Sequence, residues 1–277
     1  MSDVKSLRDL CYATVDRDDL CLDLHIPATP DAALVVYAHG GGFQLGDKAD
    51  AEHERLLGLA GHGVAVASIN YRHAPKALFP DQIHDMKAAV RWLRGNGGAY
   101  GLRTDRIGVW GASAGGYLAS MVALSGGDPG LEGELGDQRE QSSAVQAAVI
   151  WFAPSDLASS GRRSPLEKQI LFPPFEAAVL GLDGVAGHTE LTSRASALAR
   201  VSPDAPPFLI AHGDSDRVVP PSESAALHAA LGRAGVASTL TYLAGAGHED
   251  PAFDRPECHA MTAAWLRSIL LAEGAGG

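Results

Sequence analysis

The 277-residue chain predicts an α/β fold with a mostly parallel central sheet. Three observations carry this: apolar, β-branched runs alternate with segments of helical spacing, most runs are continuously apolar, and glycine-rich turns stand at their ends. Strands are predicted at "ALVVYAH" (33–39), "VAVASINY" (64–71), "RIGVW" (106–110), "VQAAVIWF" (145–152), "PFLIAH" (207–212) and "STLTYL" (238–243). Two earlier segments, "YATVD" and "DLCLDLHIP", alternate polar and apolar residues around "DRDD" and predict an antiparallel hairpin at one edge. Helices are expected at "DAEHERLLGLAGH", "FPDQIHDMKAAVRWLRGNGG", "SAGGYLASMVALS" and "PSESAALHAALGRAG". In the second of these, Ile83, Met86, Val90 and Leu93 recur at steps of three and four, which makes one apolar stripe.

Two segments break the alternation. Ser125–Ser143 is glycine-rich and acidic and reads as a surface loop; it lacks the Gly-Lys-Ser ending of a phosphate loop. Ser155–Pro206 lies between two core strands and mixes Pro, Gly and aromatics, as a small cap inserted after the sixth strand would, within a single domain spanning 1–277.

Composition narrows the function classes. A hydrophobic fraction of 46%, a charged fraction of 20% and a net charge of −11 describe a water-soluble chain and disfavour nucleic acid or an anionic membrane as partner. No apolar run reaches membrane-spanning length, and the N-terminus lacks a signal-type apolar core, so a cytoplasmic location is expected. Cys11, Cys21 and Cys258 are too few and too scattered for a disulfide framework or a zinc site, which leaves free thiols and no metal.

The chemistry is concentrated in three short motifs. Gly111-Ala112-Ser113-Ala114-Gly115 is G-x-S-x-G between a strand and a helix, a turn that strains the serine backbone and needs small neighbours. It would present the Ser113 hydroxyl at a helix N-terminus, where N–H groups favour negative charge. A nucleophilic serine needs a base and an acid that orients it, in chain order Ser, Asp, His. "TYLAGAGHED" presents His248 just past the last core strand, and "HGDSDRVVP" offers Asp214 and Asp216. Asp156, after another strand, is a weaker third candidate for the acid. "HGGGF" (39–43) follows a core strand, so the N–H groups of Gly41 and Gly42, with that of Ala114, are the expected oxyanion donors. His39 is read as a brace for that loop, His212 as a buried, satisfied histidine, and His53, His62, His84 and His228 as surface or packing residues on helices.

At "HGGGFQLGDK", "INYRHAPKALFPDQIHDMKAAVRWLRGNGGAYGLRTDRIGVWGASAGG", "VSPDAPPFLIAHGDSDRVVP" and "GAGH" the chain resembles an α/β-hydrolase carboxylesterase. More narrowly it is similar to the hormone-sensitive-lipase-like and bifunctional feruloyl/acetyl-xylan esterase group. The resemblance implies the α/β-hydrolase fold and hydrolysis of short-chain carboxylic esters, acetyl to butyryl, without cofactor or metal. It also implies that the acid is the aspartate opening "DRVVP", Asp216. The pattern differs at Ala112, where an acidic residue is usual, at His73 in "YRHAP", and at "EDP" after His248, each of which bears on substrate choice. With 38 residues before "HGGG", the cap is expected to come mainly from Ser155–Pro206. There Leu171, Phe172 and Phe175 are expected either to line an acyl or alcohol pocket or to pack the cap onto the body, and Phe43 of the "HGGGF" loop is a further candidate for substrate binding. An arylformamidase or other amide hydrolase with the same residues is the rival enzyme, and a ligand receptor on a hydrolase fold the rival of another class. The substrate is a small-molecule ester in the leading reading; "YLAGAGH" near the sheet edge could pair with a second copy as a homodimer.

Overall fold

The computed structural model describes residues 3–164, 166, 169 and 174–272. Its centre is one eight-stranded sheet in the order β1-β2-β4-β3-β5-β6-β7-β8. The strands are β1 (Val4–Val15), β2 (Asp18–Pro27), β3 (Ala33–Ala38), β4 (Val64–Ile69), β5 (Ile107–Ala112), β6 (Ala147–Trp151), β7 (Phe208–Gly213) and β8 (Ser238–Leu243). Strands β1 and β2 pair antiparallel, as do β2 and β4; from β4 through β8 every pairing is parallel. Strands β3 to β7 are buried throughout, which is why their sequences run apolar without alternation. This is the α/β-hydrolase architecture that the sequence predicts.

The hairpin is longer than its alternating core suggests. β1 begins at Val4, and register shifts between Leu7 and Leu10 and between Cys11 and Ala13 break the period of two that would have revealed it. Asp16 and Arg17 at its tip both take positive φ (52° and 76°), as a tight two-residue turn demands. The pairing sets Cys11 opposite Cys21 with their sulfurs 2.7 Å apart, so these two thiols are neighbours, not scattered.

Helices cover both faces: α1 (Leu57–Gly61), α2 (Asp81–Asn96), α3 (Ala114–Ala123), the short α4 (Pro129–Glu132), then Pro221–Arg233 and Pro256–Leu270. The last was not anticipated, although Pro256 stands at its first turn and His259, Ala263, Leu266 and Leu270 give it a buried stripe. One buried cluster fills the α2–α3 face and another the face of α1 and the C-terminal helix.

The segment Ser125–Ser143, expected as a surface loop, is tied into the body by charge. Lys87 of α2 is fully buried, and its Nζ donates to Glu132 Oε1 (2.7 Å) and the Ser125 carbonyl (2.6 Å). Arg91 donates to the Glu132 carbonyl at 2.9 Å, and Ser143 Oγ to Glu132 Oε2 at 2.6 Å. Burial pushes the Lys87 ammonium below the usual lysine range, and the Glu132 carboxylate opposes that shift. Removing Glu132 strands a buried cation, so Glu132→Ala is expected to cost about 2–4 kcal/mol of stability in urea unfolding. Adding Lys87→Met is expected to restore part of that loss; a double variant less stable than the single one would contradict the account.

The sheet order also fixes where a site can form. Chain direction along the sheet reverses at β3, with β4 on one side and β5 on the other. At such a switch point the loops leaving the carboxyl ends of neighbouring strands diverge and leave a crevice. The loop after β3 carries "HGGGF" and the turn after β5 carries Ser113.

Candidate active site

Ser113 closes β5 and caps α3 with φ 52° and ψ −118°, a strained conformation for a residue with a side chain. It is held because its N–H donates to the Trp151 carbonyl at 3.0 Å and its carbonyl accepts from Tyr117 N–H at 3.0 Å. The glycines make the turn sterically feasible. A Cβ on Gly111 would stand 2.1 Å from the Gly115 carbonyl oxygen, and one on Gly115 would stand 2.0 Å from the Ala38 oxygen. The first turn of α3 therefore rests directly on the backbone end of β3.

The three polar side chains singled out for the reaction meet. His248 Nε2 is 2.9 Å from Ser113 Oγ, and His248 Nδ1 is 2.7 Å from Asp216 Oδ2. A carboxylate only accepts, so Nδ1 carries the proton and Nε2 accepts from the serine hydroxyl. Asp216 is fixed on every side: Oδ1 accepts from the N–H groups of Val218 (2.8 Å) and Val219 (2.9 Å), and His212 Nε2 is 3.2 Å from Oδ2. Burial opposes the charge on Asp216, but the hydrogen bonds from His212 and His248 and the Val219 N–H outweigh it and hold the carboxyl well below the usual aspartate range.

The alternative acids lie elsewhere. Asp214 Oδ1 accepts from Gly245 N–H at 2.8 Å and so braces the loop that presents His248. Asp156 accepts from Ala158 N–H at 3.0 Å, as the cap of the next turn. His212 is buried and also bonds Ser224 Oγ (2.6 Å) and the Val219 carbonyl (3.0 Å). Its contact with Asp216 was not foreseen; nothing short of the tertiary structure pairs a strand-end histidine with an aspartate four residues on.

The "HGGGF" loop curls beside Ser113. Gly41 has φ 110°, and a Cβ there would stand 2.1 Å from the Leu45 oxygen, so the tight reversal requires glycine. The amides of Gly41, Gly42 and Ala114 donate to no described group. His39 Nδ1 bonds the Gly40 carbonyl at 2.7 Å, and Tyr71 Oη donates to the His39 carbonyl at 3.0 Å, which braces the loop from behind.

Of the expected pocket residues, Phe175 stands against the loop, its Cβ 3.3 Å from where a Gly42 Cβ would be. Phe43, named as a candidate for substrate binding, is instead fully buried, edge-on to Tyr117 at 5.4 Å, and packs the loop. Its main chain at φ 66° turns the ring inward. Leu171 and Phe172 lie outside the described residues.

The sequence reading also missed Arg55. Nearly buried, it donates to Asp254 through two nitrogens (2.7 and 3.1 Å), to Tyr37 Oη (3.2 Å) and to Glu249 Oε2 (3.0 Å). Its guanidinium also lies over the rings of Trp151 and Phe152, at 5.3 and 5.9 Å. Phe152 in turn stands edge-on to the His248 ring at 5.1 Å. No group of His, Cys, Asp or Glu among the described residues is arranged to hold a metal. No helix among them is long and apolar enough to cross a membrane.

Comparison with known proteins places this geometry in context. The BD-FAE family model matches residues 22–231. Esterase LipQ of Mycobacterium tuberculosis is 32% identical over 273 residues, 96% of this chain and 60% of LipQ. The isoprenylcysteine alpha-carbonyl methylesterase ICME of Arabidopsis thaliana is 28% identical over 88% of this chain and 56% of its own. The chain thus spans a little over half the length of these two relatives. Among solved structures, a truncated form of a carbohydrate esterase from gut microbiota superposes with a TM-score of 0.86 at 29% identity, covering 95% of both chains. Esterase Est2 of Thermogutta terrifontis gives 0.73 at 26% identity, over 100% of this chain and 95% of Est2.

Proposed function

The chain belongs to the BD-FAE family, and from that premise we propose that it is a serine carboxylesterase acting on short-chain esters. The observation that carries the reading is the continuous hydrogen-bonded chain from Ser113 through His248 to Asp216, next to backbone amides that donate to no described group. The relatives named above are esterases, which favours esters over amides and over a receptor without turnover.

In the proposed reaction, Ser113 Oγ attacks the ester carbonyl carbon while His248 Nε2 takes its proton. The imidazolium so formed keeps its Nδ1–H bond to Asp216, whose charge stabilises it. The carbonyl electron pair moves onto oxygen, where the amides of Gly41, Gly42 and Ala114 donate; one such donor is worth about 3–4 kcal/mol. His248 then gives its proton to the departing alkoxide, and the tetrahedral adduct collapses to an ester of Ser113. Water repeats the sequence, with His248 as base and then acid, and releases the carboxylic acid.

The test compares p-nitrophenyl acetate, butyrate and octanoate, with N-formylkynurenine as the amide-type competitor, and labels the protein with a fluorophosphonate. Acetate or butyrate is expected to be cleaved best, with Ser113 labelled stoichiometrically. Preference for N-formylkynurenine would move the assignment to an amide hydrolase. Absence of both turnover and label would leave the receptor reading.

A further inference from the structure

Glu249 follows the histidine and sits where the sequence departs from the esterase pattern. Its backbone has φ 52°, and its side chain reaches the loop after β3 at Gly40. One oxygen, Oε2, is held by Arg55 at 3.0 Å; the other, Oε1, has no hydrogen-bond partner among the described residues. A Cβ placed on Gly40 would be 2.8 Å from that oxygen and 3.5 Å from the Cβ of Ser113. The carboxylate is thus separated from the nucleophile by about the width of one small side chain. It borders a hollow of about 270 Å³ that His39, Gly40, Gly41, Asp50 and Arg55 also line, and of the expected oxyanion donors Gly41 belongs to that lining.

The charge at this point is not cancelled. Arg55 is already paired through two nitrogens with Asp254, so Arg55, Asp254 and Glu249 together carry one net negative charge, to which Asp50 in the same lining adds another. The Glu249 side chain is 41% exposed, so it is open to a bound molecule as well as to the arginine. Asp250, the next residue, is directed elsewhere, accepting from the N–H groups of Ala252 and Gly247.

We propose that Glu249 sets the charge selectivity of the site: it favours esters with a cationic or hydrogen-donating alcohol part and disfavours those carrying an anion near the carbonyl. This rests on the esterase reading above and narrows its substrate class. Arg55 is the positioning residue that aims the carboxylate. At separations of about 7 Å and an effective dielectric near 30, one charge is expected to shift kcat/KM roughly tenfold in each direction.

The experiment uses three acetate esters of similar size: acetylcholine, 3,3-dimethylbutyl acetate and 4-acetoxybutyrate. All three form the same acetyl-enzyme, so differences in kcat/KM report on acylation alone. The wild type is expected to rank them cationic, neutral, anionic, and the spread is expected to shrink as ionic strength rises to about 0.5 M. In Glu249→Gln the cationic-to-neutral and neutral-to-anionic ratios are each expected to fall about tenfold. If the three rates fall together with the ratios intact, Glu249 is structural and the proposal is overturned. A wild-type spread that is absent, or that does not respond to salt, overturns it without recourse to the variant. If the wild type cleaves none of the three, nor p-nitrophenyl acetate, the esterase reading itself fails and the proposal with it.

Discussion

Ser113→Ala is expected to lower kcat/KM for p-nitrophenyl acetate by at least about a thousandfold while leaving the fold in place. Alanine keeps the N–H bond to the Trp151 carbonyl and the carbonyl bond from Tyr117, and it occupies φ 52° at no greater steric cost than serine. What it loses is the oxygen 2.9 Å from His248 Nε2. The residual rate reports what the backbone amides and binding contribute without a nucleophile. The pairing of measurements is kcat/KM with thermal unfolding: a large rate loss at unchanged melting temperature supports the assignment. A variant retaining more than about a tenth of wild-type activity would rule Ser113 out as the nucleophile.

Asp216→Asn is expected to cost about 10³–10⁴ in kcat/KM, for a reason specific to this site. The Oδ1 position accepts from two backbone amides, so the amide oxygen of asparagine takes it. Its NH₂ group must then face both His248 Nδ1–H and His212 Nε2, and the latter also donates to the Val219 carbonyl. Donor meets donor twice, and His248 is driven toward the tautomer that cannot accept from Ser113. The substitution has a pH signature in stability as well. The folded carboxyl is held below its ordinary value, so its contribution is fully present above the unfolded aspartate pKa of about 3.9 and is lost as pH falls through the lower folded value. In urea unfolding, the gap between wild type and Asp216→Asn should narrow as pH falls below about 4. A gap that widens on acidification would mean that Asp216 is not held ionised by its neighbours.

How far the sequence revealed this site depended on the scale of the interaction. Ser113 and His248 were legible because each sits on a local feature, a strand followed at once by a glycine-bearing turn. Asp214 and Asp216 were harder, since both lie on one loop and only direction separates them: one points to Gly245 N–H, the other to His248. Arg55 was invisible, because its partners Glu249 and Asp254 are nearly two hundred residues away in the chain and meet it only when the sheet is assembled. The α2 stripe of Ile83, Met86, Val90 and Leu93 is buried as its spacing predicts, yet Lys87 and Arg91 on the same helix are buried too. Periodicity speaks for apolar residues; a charge is drawn inside by a partner that periodicity cannot supply.

The backbone of α3 resting on the end of β3 separates two kinds of change. Because Gly115 meets the Ala38 and His39 carbonyls without an intervening side chain, the spacing between the nucleophile and the start of the glycine loop is set by backbone against backbone. A side chain at position 115 would push the two apart, whereas His39, Tyr71 and Phe43 hold the rest of the loop through their own contacts. The rim is built from side chains instead: Phe175 meets the loop at Gly42 and Glu249 meets it at Gly40. Substitutions at positions 175 and 249 are therefore expected to alter which substrate is accepted, whereas a side chain at position 115 is expected to abolish turnover.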